Sequence, residues 1–241
     1  MARPRTPYGL EIIQSCVACP VREHGLFCNL SPPALEELNA LRQSSVYPPG
    51  ATLFVEGQPA RGLFVLCSGR AKLTASSTHG RRLIVRMADT GEVLGLSAVI
   101  SNTNYEVSAE TLEPTQVNFL PRPEFVRFLQ RHGEVSVRVA EHLSMELGRA
   151  YRQVARIALA PTARAKLAAL LVEWAGHDSQ PAAKGVRFQL RLTQEEVGEL
   201  IGASRETISR LFNDFRRRGL IQLKGTTVTL PDPRKLEALF T

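Results

Sequence analysis

Between residues 45 and 121 the apolar positions fall into short runs, Thr52-Leu53-Phe54-Val55, Gly62-Leu63-Phe64-Val65-Leu66 and Leu83-Ile84-Val85, punctuated by glycines at 50, 57, 62, 69, 80, 91 and 95. Turn residues this frequent, with no long helical period between them, predict short antiparallel strands closed into a roll or barrel. Ahead of it, Ser31 is suited to open a helix, Pro32 to take its first position, and Leu35, Leu38 and Leu41 to line one face. From Glu134 onward the period lengthens. Ala140, Leu143, Leu147, Ala150, Val154 and Ile157 follow one another at alternating steps of three and four, while Glu141, Glu146, Arg149, Arg152 and Arg156 lie off that seam. A stripe so narrow suits a helix paired with a copy of itself better than one packed on its own domain, where the apolar face is broader. Ala160-Pro161 ends it and makes a hinge, because proline cannot donate to the hydrogen-bond ladder and restricts the residue before it.

Beyond the hinge a second pattern starts. Thr162 to Ala175 reads as a helix and Val186 to Leu190 as a short strand. Thr193 and Glu196 make a capping box ahead of Val197, Leu200 and Ile201, which form one apolar helix face. Gly202-Ala203 interrupts this helix, Ser204 caps the next, and Ile208, Leu211, Phe212 and Phe215 face inward until Gly219 stops it. Ile221-Gln222-Leu223 and Thr226 to Leu230, turning at Lys224-Gly225, make a hairpin. Helix, short glycine turn, helix and two-stranded wing form the winged helix-turn-helix pattern. The predicted fold class is α+β: a cysteine-containing segment over 1–30, a β-roll over 31–133, a dimerisation helix over 134–160 and a winged helix-turn-helix over 161–241.

Composition narrows the function. A chain of 241 residues with 44% hydrophobic and 22% charged residues is a globular protein of one large or two modest domains. Its longest apolar stretch, residues 157–176, contains Pro161, Arg164, Lys166 and Glu173, so no transmembrane helix is expected. The N-terminus carries basic residues but no apolar core of a secretory signal, which points to the cytoplasm. Thirty lysines and arginines against 23 acids leave a net charge of +7, the balance of a protein with a polyanionic partner.

The most informative segment is Ser204-Arg205-Glu206-Thr207-Ile208-Ser209-Arg210. If Ile208, Leu211 and Phe215 face the core, Arg205, Glu206, Ser209 and Arg210 stand on the opposite face near the helix start, where a recognition helix meets base edges. Arginine matches the two acceptors of guanine, glutamate accepts from the cytosine amino group, and serine serves either role. Thr193 and Ser204 sit at helix N-termini suited to phosphates, and Arg216, Arg217 and Arg218 extend the basic surface along the DNA backbone. Alone, these residues would read as a solvated face with a Glu206 to Arg210 pair. Five arginines against two acids from 205 to 218, inside a winged helix-turn-helix, favour DNA.

The glycine-punctuated roll, the heptad helix with its hinge, and LTQEEVGELIGASRETISRLFNDFRRRGLI together resemble the Crp/Fnr family of dimeric bacterial transcription regulators over residues 16–230. The resemblance implies a roll of the cyclic-nucleotide-binding type, a double-stranded β-helix that senses a signal. It further implies a homodimer on an inverted repeat of double-stranded DNA, with RNA polymerase as a further partner. The family's base-reading positions fall on Arg205, Glu206, Ser209 and Arg210. Arg205-Glu206 with Arg210 is similar to the cyclic-AMP receptor branch, and Glu206 with Ser209-Arg210 to the fumarate and nitrate reduction branch; both imply a TGA-type half-site core. Cyclic nucleotide is not the expected signal. The nucleotide-binding segment corresponds to Gly91-Glu92-Val93-Leu94-Gly95-Leu96-Ser97, but the phosphate-holding Arg-Ser pair falls near Glu106-Val107, where a carboxylate repels phosphate and valine offers no hydrogen bond. Arg81 and Arg82 are cations that lie nearby in sequence.

Cys16, Cys19 and Cys28 are spaced C-x2-C-x8-C, similar to the N-terminal cysteines that hold a [4Fe–4S] cluster in the fumarate and nitrate reduction branch. The second gap is longer than the family's usual one, and the place of its fourth cysteine falls on Asn118. Cys67, the remaining thiol, lies in a strand, where cysteine commonly serves as a small buried hydrophobe. Three readings stay open: a cluster with its fourth ligand from Cys67, a carboxylate or a small molecule; zinc completed by His24; or thiols without metal. An enzyme is not expected. The histidines at 24, 79, 132, 142 and 177 are scattered, and no nucleophile elbow, phosphate loop or zinc-protease motif is present.

Overall fold

A computed structural model describes residues 8–19, 25–77, 82–159, 162–177, 180–181, 185–190 and 192–240, with backbone alone for 152–159, 177 and 180–181. The chain divides into two compact units, Met1–Gly148 and Arg149–Thr241.

The first unit opens with α1 (Pro32–Leu41), whose Ala34, Leu35 and Leu38 are buried. Eight strands follow: β1 (Gln43–Tyr47), β2 (Thr52–Phe54), β3 (Gly62–Ser68), β4 (Ala71–Ser76), β5 (Arg82–Ala88), β6 (Val93–Leu94), β7 (Ser108–Thr111) and β8 (Thr115–Pro121), with α2 (Leu96–Ser101) between β6 and β7. They pair antiparallel in two four-stranded sheets ordered β1-β8-β3-β6 and β2-β7-β4-β5, which is the expected roll. Their inward side chains, among them Leu63, Leu66, Leu73, Val117 and Leu120, form one apolar core. Fully buried side chains of this size supply about 1.5–3 kcal/mol each by leaving water. Gly62 shows how tightly the strands meet: a Cβ there would run into the Leu120 carbonyl and the Phe119 ring.

Two helices close the roll. α3 (Arg122–Arg131) starts with proline in its first turn and buries Phe125 and Phe128, the former edge-on to Phe27 at 5.5 Å. α4 (Gly133–Leu159) buries Val135 and Val139 and rests Leu143 half-buried against the same core. Its outer side is apolar too. Val137, Met145, Leu147 and Tyr151 are each more than half exposed.

In the second unit, α5 (Ala163–His177), α6 (Gln194–Ile201), α7 (Arg205–Arg217) and α8 (Pro233–Glu237) surround a sheet ordered β11-β12-β10-β9. Its strands are β9 (Gln180–Pro181), β10 (Val186–Gln189), β11 (Gln222–Lys224) and β12 (Thr227–Leu230). Leu167, Leu171, Val197, Ile208, Phe212, Phe215 and Val228 make its separate core. The fold class is the α+β one read from sequence; α2, α3 and α8 were not foreseen. Among the described residues, no helix is long and apolar enough to cross a membrane.

Candidate nucleic-acid interface and sulfur site

Thr193 starts α6 as predicted. Its hydroxyl accepts from the Glu196 N–H at 3.2 Å, and the Glu196 carboxylate accepts from the Thr193 N–H at 2.9 Å. The helix stops at Gly202, whose φ of 70° few other residues tolerate. Gly198 lets the turn close on itself, since a Cβ there would sit 2.5 Å from the Ala203 carbonyl oxygen. Ser204 then caps α7 by accepting from the Thr207 N–H at 3.3 Å. Both hydroxyls assigned to phosphate therefore also serve their own helices.

α7 buries Ile208, Phe212 and Phe215 and exposes Arg205, Glu206 and Arg210, with Ser209 half-buried beside them. The Glu206 carboxyl is held below the usual carboxylate range, first by its own backbone N–H, then by the Ser204 hydroxyl and the nearby Arg205 and Arg210 charges. It is thus an acceptor at neutral pH. Arg216, Arg217 and Arg218 are exposed at the helix end. Asp214 draws on three cations there, Arg164 at 3.4 Å, Arg218 at 3.7 Å and Arg217 at 3.8 Å. Among the residues assigned to the dimer seam, Ala140, Leu147 and Ala150 are exposed, whereas Leu143 turns toward its own core; side chains at Val154 and Ile157, and the hinge Ala160-Pro161, lie outside the described residues.

All four cysteines line one cavity of the roll, together with Ile13, Arg42, Gly91 and Asn118. Cys16 and Cys19 share a turn in which the Cys19 N–H donates to the Cys16 carbonyl at 3.4 Å. Cys28 closes a second turn on Gly25 at 3.1 Å. Gly25 itself admits no side chain: a Cβ would lie 2.6 Å from the Cys28 sulfur and 2.8 Å from the Gly91 carbonyl oxygen. Cys67 comes from β3. β3 carries a bulge between Leu66 and Ser68, which pair with Val117 and Gln116, so Cys67 is the extra residue, and a bulge re-aims its side chain.

Burial pushes the Cys28 thiol up to about 11 and the Cys67 thiol up to about 12, with neighbouring thiols adding to both. Burial also raises Cys16, opposed by the Arg42 guanidinium and by the Asn118 amide, whose Nδ2 donates to the sulfur at 3.7 Å. Among the described residues, no three ligand side chains converge closely enough to hold one metal ion. His24 lies outside the described residues. Asn118 occupies β8 between Ser44 of β1 and Val65 of β3. Sequence reasoning missed Asn39, Arg42 and Gln116 around this site, because single polar residues carry no spacing signal.

A sensory roll joined to a winged helix-turn-helix is the build of a transcription regulator. Residues 45–132 match the cyclic nucleotide-binding domain and residues 165–239 the Crp-like helix-turn-helix domain. The chain is 29% identical over 223 residues to the transcriptional activatory protein AadR of Rhodopseudomonas palustris, spanning 92% of this chain and 91% of that one. It is 26% identical over 212 residues to the CRP-like cAMP-activated global transcriptional regulator of Mycobacterium tuberculosis, spanning 88% and 94%. A solved CRP-family regulator of Thermus thermophilus, TTHB099, is similar with a TM-score of 0.66 at 25% identity, covering 81% of this chain and 95% of that one. The chain belongs to the Crp/Fnr family of DNA-binding transcription regulators and, like these relatives, is not an enzyme.

Proposed function

We propose that the chain acts in the cytoplasm as a homodimeric, redox-responsive regulator that reads an inverted repeat with TGA-type half-site cores and takes its signal at the four-thiol cavity. The signal is carried by one observation: sulfurs from two N-terminal turns and a strand bulge share a single cavity. On the DNA, Arg205, Glu206, Ser209 and Arg210 read base edges, while Thr193, Ser204 and Arg216 to Arg218 take phosphates. The exposed apolar side of α4 supports pairing of two subunits through Ala140, Leu147 and Ala150, with Val137 and Tyr151 widening the seam. Such a pair sets two recognition helices about one DNA turn apart, and RNA polymerase is the further partner that the family suggests.

The thiols fit a cluster better than a single ion. Zinc needs its sulfurs about 2.3 Å from one point, whereas a [4Fe–4S] cluster bonds each cysteine to a different corner and suits sulfurs spread around a cavity. Cys16, Cys19, Cys28 and Cys67 would hold it, and when bound it would supply sensitivity to oxygen or redox state. From the cavity wall a route leads to α4. Gly91 lines the cavity, the adjacent Glu92 pairs with Arg86, and Arg86 reaches Glu146 of α4 at 3.2 Å. A shift at the wall thereby biases the dimer helix, and the hinge at Ala160-Pro161 carries the bias to the DNA-binding unit as a population shift.

The cyclic-AMP response in the name of the mycobacterial relative is the second reading. Against it stand an exposed Glu106, a Val107 packed on the core, and a Glu92 already engaged by Arg86. Anaerobic purification with an absorption spectrum and iron and sulfide assays tests the choice, followed by binding to an inverted-repeat duplex before and after air. The expected protein is coloured, holds about four irons, and changes its DNA affinity in air. A colourless, iron-free protein whose binding ignores air removes the cluster, and tightening by cyclic AMP alone would favour the nucleotide.

A further inference from the structure

Gln116 is fully buried on β8, yet its amide pairs in both directions with one N-terminal residue. Its Oε1 accepts from the Ile13 N–H at 2.8 Å, its Nε2 donates to the Ile13 carbonyl at 2.8 Å, and Nε2 also reaches the Ser44 hydroxyl at 2.9 Å. Two residues on, and so on the same face of the strand, Asn118 donates to the Cys16 sulfur while its Oδ1 accepts from Arg42 at 3.2 Å. Asn39 Oδ1 accepts from both the Cys16 N–H and Arg42 Nε, each at 2.9 Å, and a further Arg42 nitrogen donates to the Gln14 carbonyl. β8 is already paired on both sides, with β1 and β3, so it has no free edge to offer. Buried side-chain amides take the place of a strand partner. Apolar residues would fill this space more cheaply, and amides survive there because each has found partners that fix one register of the segment.

We propose that Asn118 and Arg42 are positioning residues of the sulfur site: with Gln116 and Asn39 they dock Ile13–Cys16 onto β8 and hold the Cys16 sulfur at the cavity, so that docking of the segment follows the state of that sulfur. The functional consequence rests on the four-thiol reading above, but the cradle does not. A sulfur that is anionic or metal-bound accepts a stronger hydrogen bond from Asn118 than one consumed in a covalent bond, because charge-assisted bonds are the stronger kind.

The test is residue-resolved amide hydrogen exchange in the full-length, reduced, metal-free chain. Ile13 and Cys16 should be protected in the wild type, and Arg42→Met should quicken both by about fivefold, the scale of one hydrogen bond, with the β3–β8 ladder unchanged. Asn118→Asp decides the role of the sulfur contact. It keeps the shape and can pair with Arg42 but has no N–H to donate, so a sulfur-positioning residue predicts faster exchange at Cys16. A mere scaffold for Arg42 predicts unchanged or slower exchange, which would overturn the proposal, as would an unprotected Ile13 and Cys16 in the wild type. An iron assay on the loaded protein separates the two ideas. Absence of iron with the exchange pattern intact would remove the cluster and leave the cradle standing.

Discussion

In α7 the side chains proposed to meet DNA share one helix with the residues that anchor them, Ile208, Phe212 and Phe215, so one helical period sets both what is buried and what is displayed. The four sulfurs instead come from two N-terminal turns and the bulge of β3, and side chains of α1 and β8 hold the first of them in place. The first site exists as soon as its helix packs. The second exists only after the roll has closed, because its thiols are brought together by pairings across more than a hundred residues of chain. A local site is robust to changes elsewhere, and a non-local one reports on the whole domain, which suits a sensor.

The comparison breaks most easily at the core of the second unit. Phe215→Ala removes a fully buried ring and should cost about 3–5 kcal/mol. Calorimetry should show an early transition and lost DNA binding, while the order of thiol alkylation in the first unit stays as in the wild type. Loss of both together would mean that the units do not stand alone. Next in size, Glu206→Ala should lose about 1–3 kcal/mol of discrimination at one base pair, measured by competition among half-site variants.

An effect of comparable size, confined to alkaline pH, belongs to the sulfurs. Their folded values, about 11 for Cys28 and about 12 for Cys67, lie above the ordinary thiol value of 9.0. Below pH 9 folded and unfolded chains both keep these protons; above it the unfolded chain releases them first, so metal-free stability should fall as pH rises from about 9 to about 12. Cys67→Ser and Cys28→Ser should flatten that decline in denaturant titrations. Smallest of all, Arg217→Ala should weaken binding equally on all sequences and reduce the salt slope by about one.

The recognition helix was legible in sequence because caps, glycine and helical period all lie within it. α3 was not foreseen, although Pro123 fits a first helical turn and Phe125 and Phe128, three apart, were the available signal. α4 was legible in part. It carries two apolar stripes, an inner one with Val135, Val139 and Leu143 and an outer one with Val137, Leu147 and Tyr151, and the alternating seam read from sequence takes Leu143 from the inner stripe and Leu147 from the outer. Cys67 could be named only as one of several candidates for a fourth ligand, because nothing in a strand sequence marks an unpaired residue. Asn118 was legible only as the place where a fourth cysteine is absent; that it faces Cys16 could be learned only from the folded chain.

The bulge at Cys67 also bears on how such a four-thiol cavity can be gained or lost. Because side chains alternate along a strand, the direction of this thiol depends on how many residues separate Leu66 from Ser68, not only on which residue stands there. Deleting a single codon would restore an even ladder and take away the fourth sulfur, leaving the paired residues on either side in register. Across descendants of this gene, insertions and deletions at one strand position would therefore switch the chemistry of the cavity more cleanly than substitutions could.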